Sequence, residues 1–139
     1  MKAEVKWLGG RAFEGVADSG HSVIMDSSPD FGGDDRGIRP MEMLMVGMGG
    51  CTSIDVMNIL EKSRQDVTAC VAEISADRAD SEPKVFVKMH VHFKVTGHNL
   101  ESSRVGRAIQ LSAEKYCSAS IMLGKTAEIT HDFEIIEAD

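Results

Sequence analysis

The most specific chemistry this sequence offers is that of a reactive thiol, and Cys51 and Cys117 are where it would lie. Cys51 stands in the middle of Pro40–Leu60, PMEMLMVGMGGCTSIDVMNIL, in which no residue from Met43 to Ile54 carries a formal charge. A cysteine is a nucleophile only as its thiolate. An apolar helix works against that, because burial disfavours the charged form. Cys51 is therefore either an inert core cysteine or a thiol activated by a cation from elsewhere. Cys117 directly precedes Ser-Ala-Ser-Ile-Met-Leu. If a helical piece begins there, Cys117 is its N-cap, and the unpaired N–H groups and positive dipole end favour its thiolate. The linear sequence leaves the distance between the two sulfurs open.

Other groups with chemical potential read more plainly. Cys70 shares a strand face with Ala72 and Ile74 and reads as core. His90 and His92 are two apart on a strand and project together, which is half of a zinc site; their lysine neighbours favour a solvated outer face. His131 falls on the apolar face of the last strand and is expected to be a hydrogen-bonded interior histidine. Asp55 follows Cys51 by one helical turn and would oppose a thiolate unless it is paired. No P-loop, dinucleotide fingerprint, nucleophile elbow or Cys-x-x-Cys motif is present.

The elements that must position these residues follow from periodicity. Residues 3–8 alternate as a half-buried strand. Gly9-Gly10 turns the chain into a second strand at 11–17, and Asp18-Ser-Gly20 into a third at 21–26. Residues 27–38 are rich in turn formers and read as a mobile loop. Pro40 suits the first position of a helix, which runs to about residue 63. Mostly unbranched apolar residues favour helix there over strand, and glycines at 47, 49 and 50 allow close packing beside Cys51. Residues 67–78 and 84–96 form a hairpin; in its second arm Val85, Val87, Met89, Val91, Phe93 and Val95 share one face, and Lys84, Lys88, His90, His92 and Lys94 share the other, with Phe86 the exception there. A second helix starts at Asn99 or Glu101 and ends near Tyr116. Residues 117–123 form a short helical piece stopped by Gly124. Ala127, Ile129, His131, Phe133 and Ile135 make the inner face of a last strand. The order βββ-α-ββ-α(α)-β is α+β, mainly antiparallel, with a long apolar central helix.

At 139 residues the chain is expected to be a single domain. Its net charge of −7 and lack of a basic run argue against a nucleic-acid surface. No apolar run is flanked as a membrane span or secretion signal would be, so the expected place is the cytoplasm, with no membrane partner. In that setting its three cysteines are free thiols, core residues or a redox pair. Nine methionines, five of them between Met41 and Met57, indicate an adaptable apolar interior. Each half of the chain has too few strands for a complete sheet, and the helix is apolar on more sides than one sheet covers. An obligate homodimer, with sheets and core built from both chains, is therefore expected.

Gly-Gly-Arg at 9–11, Pro-Met-Glu-Met-Leu leading to Gly-Gly-Cys at 40–51, and Glu-Lys-Tyr-Cys-Ser at 114–118, in this order of elements, resemble the OsmC/Ohr family (osmotically inducible protein C and organic hydroperoxide resistance protein). The resemblance spans essentially the whole chain and is closest to the YhfA-like branch. It implies an intertwined homodimer with two active sites at the subunit interface. It also implies a thiol peroxidase that needs no metal or bound organic cofactor. On that pattern Cys51 is the peroxidatic thiol and Cys117 the resolving thiol. The substrate is an organic hydroperoxide, and a small dithiol resets the pair.

Arg11 matches the arginine of the family's Gly-Gly-Arg turn and would supply the cation across the interface; otherwise it is a solvated hairpin arginine. Arg36 and Arg39 are alternatives. The family glutamate that pairs with the arginine follows the proline directly; here Met41 holds that position and Glu42 stands one place later. Nine helical residues put Glu42 about 180° from Cys51. Glu42 is thus a site residue only by resemblance, and by geometry an early-helix group complementing the dipole. Two other functions remain open on the residues. One is a protein of the same fold binding a small apolar ligand at the dimer interface; the other is acyl transfer through Cys51, for which no histidine is placed nearby.

Overall fold

The computed structural model describes the whole chain, Met1–Asp139. It divides into two compact units, Met1–Val46 and Gly47–Asp139. The division falls inside a long helix, α1 (Pro40–Lys62).

The first unit is an antiparallel meander of β1 (Ala3–Gly9), β2 (Ala12–Ala17) and β3 (Ser22–Met25). The Gly9 and Gly10 turn needs positive φ at both residues, +104° and +55°, which glycine adopts without a Cβ penalty. Residues 27–38, expected as a mobile loop, are tied down by one carboxylate. Asp26 is buried and accepts the backbone N–H groups of Ser27 (2.7 Å), Asp34 (3.2 Å) and Arg36 (3.1 Å). Burial raises its pKa, but the three N–H groups and the nearby Arg36 charge lower it further, so it is held below the usual aspartate value. The turn formers that suggest mobility are here the residues that let the backbone wrap a buried acid. Gly33 is one of them: a Cβ would sit 1.9 Å from the Ser27 carbonyl oxygen.

The second unit holds a three-stranded sheet in the order β4 (Asp66–Arg78), β5 (Phe86–His98), β6 (Glu128–Glu137). β4 and β5 form the expected antiparallel hairpin. β6 instead runs parallel to β5, so this sheet is mixed. A parallel neighbour needs a crossover. It is supplied by α2 (Ser102–Leu111), a π-helical turn at Ser112–Tyr116 and α3 (Ser118–Leu123). The sequence reading joined the first two into one helix. On β5, Phe86, Met89, Val91, Phe93 and Val95 are buried, whereas Val87 is exposed. The expected face thus fails at its first residues: Asp77 pairs with Lys88 but Arg78 with Phe86, and this bulge sends Phe86 inward and Val87 outward.

The outer face of β5 and β6 carries a polar ladder. Asp132 Oδ1 lies 2.8 Å from His90 Nε2 and 2.7 Å from His92 Nδ1, and His92 Nε2 lies 3.2 Å from Glu134 Oε1. Hydrogen bonds to Asp132 and then Glu134 raise the His92 pKa, and hydrogen bonds with His92 and then His90 lower that of Asp132.

His131, on the opposite face, departs from expectation. Its ring stacks on Phe93 with centroids 6.4 Å apart, and its buried Nε2 has no hydrogen-bond partner. Burial, with a smaller contribution from His90, lowers its pKa. The unfolded chain therefore protonates near the ordinary histidine value of about 6.5 while the folded chain does not, and folding is penalised as pH falls below that value. Replacing His131→Leu removes the orphaned nitrogen and should raise stability by about 1 kcal/mol. Thermal unfolding of the two proteins at several pH values will check this; the gain should widen from pH 8 to pH 5.

Candidate active site

α1 positions the first thiol through two adjacent stripes of side chains. Met48, Thr52, Val56 and Leu60 recur every fourth residue and are fully buried. Cys51, Asp55 and Ile59 form the neighbouring stripe and are half-buried. The burial of the first stripe fixes the rotation of the helix and so aims the second. Gly49 helps set the depth, since a Cβ there would meet Ile74 Cδ1 at 2.5 Å.

The partner segment is the π-helical turn. Ser112 Oγ lies 2.8 Å from Thr52 Oγ and 3.1 Å from Asp55 Oδ2. An ionised carboxylate only accepts, so Ser112 donates to Asp55 and Thr52 donates to Ser112. These buried contacts join α1 to the crossover at the level of Cys51. The Cys117 N–H donates to the Ser112 carbonyl at 2.8 Å, the five-residue span of a π turn. Cys117 then leaves the helix (φ −77°, ψ 98°) and becomes the N-cap of α3. Its sulfur accepts the Ser120 N–H at 3.3 Å and the Ser120 hydroxyl at 3.1 Å.

Reactive atoms of Cys51, Asp55 and Cys117 all lie within 4.8 Å of one another. The two thiols that the sequence could not relate are therefore neighbours. Cys117 does sit at the expected N-cap, but the cap does not control its ionisation. It is completely buried. That burial pushes its pKa up, the two Ser120 hydrogen bonds oppose this, and the adjacent Cys51 adds to the rise; the net direction is upward. Asp55 is hydrogen-bonded to Ser112 rather than to a cation. A groove of about 300 Å³ opens beside it, lined by Asp55, Asn58, Ile59, Lys62, Leu111 and Tyr116.

The other expected residues lie in the first unit. Arg11 is exposed at the β1–β2 turn, with Nη1 donating to the Gly10 carbonyl at 3.3 Å. Glu42 accepts the Arg39 N–H at 2.8 Å, the reciprocal half of a capping box at the start of α1. Arg39 pairs with Asp35 at 2.7 Å. Cys70 is half-buried on β4, and burial raises its pKa. Sequence reasoning overlooked Thr52, Ser112 and Ser120. Ser120 carried a usable signal: it stands three residues after the N-cap, where an N–H or hydroxyl faces the cap side chain.

Comparison with known proteins gives a consistent kinship. The family model described as OsmC-like protein matches residues 32–132. Protein YhfA of Escherichia coli (strain K12) is 44% identical over 138 residues, covering 99% of this chain and 100% of that protein. A solved structure of a hypothetical protein from Aquifex aeolicus VF5 has a TM-score of 0.87 at 25% identity, covering 99% of this chain and 97% of that one. The structure of an organic hydroperoxide resistance protein OsmC from Legionella pneumophila has a TM-score of 0.73 at 14% identity, covering 96% of this chain and 95% of that one, and shares the fold.

The Ser120 contacts make a direct prediction. Replacing Ser120→Ala in a Cys51→Ala, Cys70→Ala background removes a hydroxyl donor from the Cys117 sulfur while keeping the backbone donor. A titration of ultraviolet thiolate absorbance should show the Cys117 midpoint moving to higher pH than in the same background with Ser120 intact.

Proposed function

The chain belongs to the OsmC-like protein family, and from that premise we propose that it is a thiol-dependent peroxidase that reduces organic hydroperoxides through Cys51 and Cys117. The observation that carries the reading is the approach of the two sulfurs to within 4.8 Å across α1 and the crossover. Cys51 is the half-buried and reachable member; Cys117 is enclosed. That asymmetry suits a peroxidatic thiol that meets substrate and a resolving thiol that meets only its partner.

In the first step the Cys51 thiolate attacks the distal oxygen of ROOH. The O–O bond breaks, the alkoxide leaves and takes up a proton as ROH, and Cys51 becomes a sulfenic acid. The Cys117 thiolate then attacks the sulfenic sulfur. The S–S bond forms, the S–O bond breaks and hydroxide leaves as water. The dithiol has lost two electrons and the peroxide has gained them. A small dithiol reductant restores the pair by exchange. The Ser120 donors stabilise the Cys117 anion that the second step requires.

Arg11 is assigned the charge that Cys51 needs, on the Gly-Gly-Arg pattern; its guanidinium has only the Gly10 carbonyl as a partner and is free to engage an anion. Glu42 is assigned to capping α1. Without a carboxylate to orient the arginine, turnover should be slow for this chemistry. The working form is proposed to be a cytoplasmic homodimer. Only 28% of the most apolar window of α1 is buried, and Leu44, Val46 and Ile54 are 47%, 57% and 65% exposed. By length and composition α1 could cross a membrane. Its fully buried stripe at 48, 52, 56 and 60 and the Asp55–Ser112 hydrogen bond favour a core helix whose remaining face a second chain covers.

The test is one equivalent of an alkyl hydroperoxide added to fully reduced protein, read by intact mass, thiol count and peptide mapping. Rapid loss of two hydrogens mapped to Cys51–Cys117, with Cys70 free, is expected. Cys51→Ser should consume no peroxide, and Cys117→Ser should stop at the sulfenic acid. All three thiols still free after prolonged exposure would overturn the peroxidase reading, and the groove bounded by Ile59, Leu111 and Tyr116 would then be the place to seek a bound apolar ligand. Sedimentation at micromolar concentration should give twice the chain mass; a monomer would remove the shared-core argument.

A further inference from the structure

We propose that Cys51, Cys117 and Asp55, with both thiols reduced, form a binding site for a thiophilic divalent cation of the Zn2+ class, with water as the fourth ligand. The proposal uses the same two thiols as the peroxidase reading but does not require that they turn over.

The donor set and its spacing carry the argument. Two sulfurs and a carboxylate oxygen lie mutually within 4.8 Å. A tetrahedral zinc with Zn–S of about 2.3 Å and Zn–O of about 2.0 Å holds its ligands roughly 3.3–3.8 Å apart, so small side-chain rotations close the site. The ligands come from rigid elements: Cys51 and Asp55 from consecutive turns of α1, and Cys117 from the start of α3.

The surrounding groups already do what outer-shell partners of a metal site do. Ser112 donates to Asp55 Oδ2 at 3.1 Å, which orients the carboxylate. Ser120 donates to the Cys117 sulfur through both its N–H and its hydroxyl, which favours the sulfur as an anion. Asp55 also forms part of the lining of the open groove, so a hydrated ion and the fourth, water ligand have a way in. The carboxylate selects for zinc over monovalent copper, which favours soft sulfur donors alone.

The cation also resolves an electrostatic conflict. Two thiolates and a carboxylate at this separation repel one another. A divalent charge among them inverts that logic and makes both thiols ionise together. Binding therefore exchanges two thiol protons for one metal ion, with no change in oxidation state. While it is bound, each sulfur shares one lone pair with the cation and is a weaker nucleophile than the free thiolate, so the ion would slow oxidation of the pair.

The experiment is a calorimetric titration of ZnCl2 into reduced protein, without hydroperoxide, in buffers of different ionisation enthalpy. One ion per chain and about two protons released per ion are expected. Co2+ in place of Zn2+ should give thiolate charge-transfer absorption and tetrahedral d–d bands. Asp55→Asn is isosteric and should weaken binding more than about tenfold; Cys51→Ser and Cys117→Ser should abolish it. A His90→Ala, His92→Ala double variant should bind as the parent does. Absence of stoichiometric uptake, an unchanged affinity in Asp55→Asn with its circular dichroism intact, or loss of binding in the histidine variant would overturn the proposal. Because no peroxide is present, failure here leaves the peroxidase reading standing, and the reverse also holds.

Discussion

The second unit depends on a buried hydroxyl pair. Thr52 and Ser112 meet at 2.8 Å where solvent cannot satisfy either. The Thr52 hydroxyl has no other partner and would carry the cost of an unpaired buried polar group if Ser112 moved away. The pair therefore acts as a key between α1 and the crossover, and apolar contacts alone, which tolerate sliding, would not supply that register. Cys51 is next to one member in sequence, and Cys117 is one π turn beyond the other. The approach of the sulfurs is thus a by-product of satisfying two hydroxyls.

The π turn is the second half of the same device. An ordinary α-helical continuation would have presented the residue at 117 on the helix surface, with its N–H bonded four residues back. Widening the turn delays that bond to Ser112 and releases Cys117 into an extended conformation. Only from there can its side chain cap α3 and accept from Ser120. Burial then opposes ionisation while the cap supports it, and burial wins. The resulting thiol is quiet until a neighbour supplies either an electrophilic sulfur or a positive charge.

Most of the fold was legible, because its elements announce themselves by period: the alternation of β1 and β5, the proline that opens α1, the glycine that closes α3. Cys117 at the N-cap could be read because capping is local. The misread features are non-local or are exceptions to period. The Phe86 face reversed because a bulge is invisible in one strand's alternation. His131 was expected to find a partner, which depends on residues that no sequence window contains. The loop at 27–38 looked mobile because turn chemistry is the same whether the backbone wraps water or a buried aspartate. Within the site, the thiols were identified by type and resemblance, but Ser112, inside the second helix, was overlooked. A serine at a helical spacing carries no mark that it faces another helix rather than solvent.

The parallel pairing of β6 with β5 has a consequence in time as well as in space. The β4–β5 hairpin joins neighbours in sequence and can form as soon as both strands exist. β6 can add only after the whole crossover has been synthesised and folded back, since contacts between distant parts of a chain form more slowly than local ones. Cys117 travels on that crossover, while Cys51 is made much earlier. During synthesis, then, Cys51 waits on α1 with no resolving partner in place. The meeting of Cys51 with Cys117 marks the completion of the domain, so an oxidant that arrives earlier meets an isolated thiol.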